Sequence, residues 1–344
     1  MEIRYLALLG FGCSGNTAVA DCLLESEIFD SFSDYEEIDD LRKSNGLVAI
    51  YEEYSESRFN SGFITHKIFM ALLRFVRSFF WLFRYHFFGK PVGNYKNKFR
   101  NFLKTNRSNW LFVRTLFWFY RNKKKLNTTK IIRFYLESLK NECCLNEDQI
   151  FLVNNVSFPE FLSNEVLLAF PDSLKMIFSI RDVYDSFCDI ELNEAHFHPG
   201  SLGHEFILGR DRGSLLRRAN FINVLKHRVE QVSLLIDLHP SRIFIVSLEK
   251  MVTDHSTIKG VMLNFCGVSE SAFTSQQNLS RYRSFSPENS ARNIRSQSDK
   301  LNILKEYGYT SDMLSMLDEL NELYKQLESK SLRALGNIGD CPLV

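Results

Sequence analysis

Five apolar residues, Tyr5-Leu6-Ala7-Leu8-Leu9, run without a break into Gly10-Phe11-Gly12-Cys13-Ser14-Gly15 and then into Asn16–Glu25, a segment able to wind into a helix. An uninterrupted apolar run this short fits a strand buried on both faces, here Ile3–Leu9. A strand that turns at once into a helix is the opening of a parallel sheet with crossovers. The sign recurs in Gln149–Asn154 (QIFLVN), Leu174–Ile180 (LKMIFSI) and Arg242–Ser247 (RIFIVS), each ahead of helix-like sequence. Ser311–Glu328 closes the series as an amphipathic helix, with Ser311 at the N-cap position and Leu314, Leu317, Leu320, Tyr324 and Leu327 on one face. The fold class that follows is α/β, an open, mostly parallel sheet flanked by helices. Ligands of such sheets lie beyond the carboxyl ends of the strands. The loops after Leu9, Asn154, Ile180 and Ser247 are therefore expected to converge on one place.

The first of those loops departs from the nucleotide-hydrolysing pattern G-x-x-x-x-G-K-[ST]. Gly10 and Gly15 hold the glycine positions and Thr17 the hydroxyl, but Asn16 stands where the lysine belongs. Glycines let backbone N–H groups approach anionic oxygens closely. A helix starting near Asn16 adds unpaired amides and the positive end of its dipole, and Ser14 and Thr17 add donors. With no ammonium and no evident magnesium ligand, a nucleoside triphosphate is a poor match; an anion needing less neutralisation, such as a phosphosulfate, suits better. On their own the glycines make no more than a tight turn. A second stretch, Met176–Phe187 (MIFSIRDVYDSF), puts Arg181-Asp182 at a strand end where a helix begins. A guanidinium there meets a phosphate bidentately, or equally makes a structural salt bridge. The two stretches together suggest two anionic groups at opposite ends of one adenosine-sized ligand.

Three segments, GFGCSGNTAVADCLLE, FPDSLKMIFSIRDVYDSF and RIFIVSLEKMVTDHSTIKGVMLNFCGV, in that order, resemble the P-loop sulfotransferase superfamily. The likeness is greatest to bacterial members that modify surface saccharides. It implies 3′-phosphoadenosine 5′-phosphosulfate as donor and a hydroxyl of a saccharide or lipid-linked saccharide as acceptor. It places Gly12, Cys13, Ser14, Gly15, Asn16 and Thr17 around the 5′-phosphosulfate and Arg181 and Asp189 at the 3′-phosphate. Phe285–Ile294 (FSPENSARNI) is similar to the loop that closes over that phosphate, through Ser290, Arg292 and Asn293. The chain departs from the family where Cys13 replaces a loop cation, where Asp189 replaces a serine for which Ser186 or Ser179 could substitute, and where the middle strand ends in Asn154-Asn155 instead of a base. The resemblance nominates Glu37 as catalytic base, with Glu36 and Asp39 as rivals and a solvated acidic turn as the plain alternative. His198, or His204, is the fallback. A catalytically inactive binding relative and a degenerate nucleotide kinase remain as other readings.

The segmentation is a single sulfotransferase-like domain over 1–344 with a basic, aromatic, helical insertion over 57–136. From Ser57 to Leu136 there are 18 Lys and Arg and no Asp or Glu, which leaves −17 on the other 264 residues of a chain whose formal net charge is +1. Residues 66–88 are apolar but too often interrupted, by Lys67, Arg74, Arg77 and Arg84, to cross a bilayer. The block reads as an ordinary helical subdomain, a cradle for an acidic glycan or the donor phosphates, or a surface resting on anionic lipid, for which Arg121–Lys130 (RNKKKLNTTK) is the strongest patch. No recognised motif accompanies the charge, so nucleic acid is not an expected partner. His196, His198 and His204 lack a carboxylate or cysteine at ligand spacing, so no metal is expected. Seven cysteines without a CxxC pair argue for reduced thiols. Only five apolar residues follow Glu2 and Arg4, too few for an export signal, so the expected location is cytoplasmic, with the inner face of the membrane as a peripheral site. The sequence carries no sign of oligomeric state.

Overall fold

Strands β1 (Tyr5–Gly10), β2 (Phe29–Ser31), β3 (Ile150–Asn154), β4 (Leu174–Ile180) and β5 (Ile243–Ser247) form one sheet in the order β2-β3-β1-β4-β5, with every neighbouring pair parallel. The structure is a computed structural model that describes residues 4–11, 15–26, 28–31, 47–56, 61–88, 95–122, 125–143, 149–154, 167–168, 170, 173–192, 215–269, 287 and 294–336. The expected α/β architecture is present. Four of the five strands fall within two residues of the runs read from sequence, because a strand covered on both faces has to be apolar throughout. The exception is β2, whose three residues, Phe-Asp-Ser, are too short and too polar to register as a strand.

Alternation along the strands builds two cores. Tyr5, Ala7, Leu9, Phe151, Val153, Met176, Phe178, Ile243 and Ile245 face one layer, while Leu6, Leu8, Ile150, Leu152, Ile177, Phe244 and Val246 face the other. Helices α1 (Asn16–Leu23), α8 (Leu248–Thr253) and α9 (His255–Phe265) cover the second face through Val19, Met251 and Met262. Helices α2 (Leu47–Glu56), α5 (Thr128–Cys143), α6 (Val183–Leu192), α7 (Leu215–Leu238) and α11 (Ser311–Gly336) cover the first, through Leu47, Tyr135, Phe187, Phe221 and Leu320. Helix α1 stops at Leu23, two residues short of the expected end, and α11 runs eight residues past Glu328. Helix α10 (Gln297–Glu306) is capped by Ser296, whose hydroxyl accepts from the Asp299 N–H.

The described helices within 57–136 are α3 (Ser61–Phe88), α4 (Tyr95–Asn122) and the start of α5. Helix α3 packs along α4 and α4 along α5, where the Trp118 and Phe134 rings stack at 4.0 Å. Cys22, Cys188 and Cys266 are buried and unpaired by disulfides, and burial pushes the first and last up to about 12 and Cys188 up to about 11. All three are held as unreactive thiols at neutral pH.

Candidate functional site at the β1/β4 crevice

The sheet has a topological switch between β1 and β4. After β1 the chain enters α1 on the second face; after β4 it enters α6 on the first. Helices leaving adjacent parallel strands toward opposite faces open a crevice at their carboxyl ends. The β1/β4 register aligns Gly10 with Ser179, so the glycine loop leaves one wall and Arg181, two residues on, leaves the other. Gly15 and Arg181 therefore border the same edge of the sheet.

Gly15 is the N-cap residue of α1 at φ 91°, in the left-handed region that suits glycine. A Cβ on it would lie 3.1–3.3 Å from the Leu248 side chain, just after β5. Both facts require glycine: the conformation, and the close approach of the loop to the start of α8. Among the described residues no side chain caps α1, and its first turn holds no acid. Those amides and the helix dipole are the groups an anion needs. Thr17, in the same turn, is exposed. We expect Gly15→Ala to cost about 1–3 kcal/mol through backbone strain, read by urea unfolding. An unchanged midpoint would mean the turn does not need its positive φ.

Asn16 does not present its side chain as a substitute cation. It is buried, its Nδ2 donates to the Leu8 carbonyl at 3.1 Å, and its Oδ1 accepts from the Ser179 hydroxyl at 3.1 Å. The Ser179 Oγ also lies 3.3 Å from the Leu9 carbonyl. The residue in the lysine position thus ties the loop to the ends of β1 and β4.

On the other wall Arg181 is 4% exposed and bound by carboxylates. It bonds to Asp189 and lies 3.8 Å from Asp185, which is fully buried. Arg295 reaches the same pair, at 3.3 Å to Asp185 and 2.6 Å to Asp189. Lys300 reaches Asp185 at 2.9 Å and Asp182 at 3.0 Å. Burial works against the Lys300 ammonium, but the Asp185 and Asp182 carboxylates outweigh it and raise its pKa. Three cations face three carboxylates. Asp182 also caps α6, accepting from the Asp185 N–H at 3.0 Å, and Asn321 of α11 accepts from the Val183 N–H at 3.2 Å. Glu249, in the first turn of α8, accepts the Asp182 N–H at 2.9 Å; burial raises its carboxyl pKa. The ends of β4 and β5 are thereby joined.

Of the residues singled out from sequence, Gly15, Asn16, Thr17, Arg181 and Asp189 lie at this edge. Gly12, Cys13, Ser14, Glu36, Glu37, Asp39, His196, His198, His204, Ser290, Arg292 and Asn293 lie outside the described residues. Arg295, Lys300, Glu249 and Asn321 were not anticipated. Arg295 had a signal, since it follows directly on the FSPENSARNI stretch, and so did Glu249, which lies within RIFIVSLEKMVTDHSTIKGVMLNFCGV; Lys300 and Asn321 had none. Among the described residues no group of three or more His, Cys, Asp or Glu could hold a metal.

No protein-family model matches the chain, and no curated protein matches it. Among solved structures, the sulfotransferase domain of the olefin synthase from Synechococcus PCC 7002 aligns with 90% of this chain and 97% of that domain, at 12% identity and a TM-score of 0.39. At that distance the likeness carries no argument, and the case for function rests on the residues of the crevice.

Proposed function

We propose that the chain binds 3′-phosphoadenosine 5′-phosphosulfate across the β1/β4 crevice and transfers its sulfuryl group to a hydroxyl of a saccharide or lipid-linked saccharide. The supporting observation is the meeting of a helix start that no described side chain caps, behind a positive-φ glycine, with a buried arginine on the neighbouring strand end. In this reading the α1 amides and Thr17 hold the 5′ end, and Arg181 with Arg295 holds the 3′-phosphate. The donor supplies an activated sulfuryl group and leaves as adenosine 3′,5′-bisphosphate; the acceptor oxygen forms the new bond to sulfur as its proton passes to a base. Glu37 or His198 takes that proton. The rate depends chiefly on in-line positioning and on stabilising the departing phosphate.

The donor's 3′ end fits the cluster on one condition. Asp189 holds both arginines, at the positions where phosphate oxygens would sit, so it acts as an internal counter-ion that the phosphate displaces. The same closed network favours a second reading, a binding protein that takes the nucleotide without turnover.

Thermal unfolding tests both. A ligand at a hundred times its Kd adds about 2.7 kcal/mol of stability. Adenosine 3′,5′-bisphosphate should raise Tm by several degrees and ATP with magnesium should not. Asp189→Ser should enlarge the shift, because it frees the arginines without adding competing charge. Stabilisation by ATP–magnesium alone would transfer the site to a kinase reading, and no shift with either nucleotide would remove nucleotide binding. Turnover of labelled donor with extracted glycans separates the enzyme from the inactive binder.

A further inference from the structure

Helix α3 is apolar on the side that should face water. Its core-facing residues Ile64, Ile68 and Ala71 are buried at helical spacing. On the opposite side Phe69, Leu73, Val76 and Phe80 follow the same spacing and are 57%, 49%, 50% and 67% exposed. Scattered exposed apolar residues need no explanation, but a four-residue stripe along three turns does. Helix α4 differs. Trp110 and Phe117, 45% and 42% exposed, share one face with Arg107, Arg114 and Arg121, all exposed. Trp110 also meets Phe75 of α3 at 5.7 Å, so the outward face of α4 adjoins α3. Arg114 has a 3.4 Å contact with Glu142, itself partly exposed.

We propose that the α3–α4 hairpin is a docking surface for an anionic lipid bilayer, lying in the headgroup region without crossing it. Among the described residues no helix is long and apolar enough to cross a membrane. An apolar stripe beside an aromatic and arginine face is the arrangement that settles at headgroup depth, with rings at the acyl boundary and guanidinium groups on phosphate. Charge complementarity selects the occupant: 18 Lys and Arg and no acid lie between Ser57 and Leu136, while the rest of the chain sums to −17. Twelve of those cations lie between Ser61 and Asn122, so the hairpin attracts an anionic surface that the acidic remainder of the chain does not. A second copy meeting face to face would oppose like charges. Nucleic acid would gain nothing from Leu73 and Val76, which cannot stack on bases. The inference is independent of the proposed donor.

The test uses the full chain with phosphatidylcholine vesicles, with and without phosphatidylglycerol. At about 0.1 M salt the chain should co-float with the anionic vesicles alone, and tryptophan emission should shift to the blue; at about 1 M salt, where screening shortens to a few ångströms, most binding should be lost. Replacing Arg107, Arg114 and Arg121 together by Gln should weaken binding on the order of a hundredfold. Replacing Phe69, Leu73 and Phe80 together by Ser should abolish the blue shift while leaving Tm unchanged, since those side chains face solvent. The proposal is overturned by equal binding to neutral and anionic vesicles, by no binding at low salt, or by either triple variant binding like the parent. A dimer in light scattering that the Ser variant dissolves, with no vesicle binding, would reassign the face to contact between copies.

Discussion

Arg181→Met should cost about 3–5 kcal/mol of stability, because it breaks a buried ion pair from one side. Arg181 and Asp185 are 4% and 0% exposed, and three cations balance three carboxylates around them. Methionine nearly fills the space but leaves the cluster one positive charge short, with Asp185 unable to reach water. Lys300 and Arg295 still touch Asp185, which limits the loss toward the lower end of that range. Asp189 is 24% exposed on its side chain and can turn outward, so Asp189→Ser should cost far less. Urea unfolding of the two variants gives the comparison. The same pair separates stability from binding: Arg181→Met should lose the adenosine bisphosphate shift, and Asp189→Ser should gain. If Arg181→Met unfolds like the parent, the cluster is not a buried charge balance. If it keeps the nucleotide shift, Arg181 is not the 3′-phosphate contact.

The sheet was legible in the sequence for a physical reason: β1, β3, β4 and β5 are covered on both faces, so local composition alone marks them. Strand β2 lacked that signal, being three residues with an aspartate among them. At the site, legibility stopped where partners come from far along the chain. The Arg-Asp pair was visible at a strand end, with its two outcomes, but Arg295, Lys300 and Asn321 arrive from more than a hundred residues away. No local pattern announces that they meet Asp182 and Asp185. Asn16 shows the converse: its position in the motif was clear, but not that its amide would tie Leu8 and Ser179. In α3 both faces are rich in large apolar residues, so periodicity could not say which one meets the core.

Below the crevice a second buried ion pair fixes the far end of α6, and its loss should have the other large effect. Arg218 of α7 donates to Glu191 through two nitrogens, at 2.7 and 3.0 Å, and the Tyr309 hydroxyl donates to the same carboxylate at 2.8 Å. Glu191 and Arg218 are each 7% exposed and Tyr309 is 4% exposed, so none of the three is well hydrated. Glu191→Ala leaves a buried guanidinium that, among the described residues, keeps Tyr309, whose ring lies 5.4 Å away, and should cost about 3–5 kcal/mol. Glu191→Leu with Arg218→Met removes both charges and should recover most of that. Adding Tyr309→Phe should recover about 1 kcal/mol more, by removing a hydroxyl left without an acceptor. The pH dependence follows the same contacts. Burial first, and then the Glu191 charge, raise the Tyr309 pKa well above its ordinary value. Folding therefore favours the neutral phenol, and its contribution is complete below the unfolded value of about 10 and lost as pH rises beyond it. Burial, the larger cause, remains when Glu191 and Arg218 are both replaced, so the Glu191→Leu, Arg218→Met variant should keep the fall in Tm from about pH 9 to 11, and adding Tyr309→Phe should make it shallower. A double variant as unstable as Glu191→Ala would show that packing, not charge pairing, sets the cost; an alkaline slope that Tyr309→Phe leaves unaltered would show that the phenol does not set it.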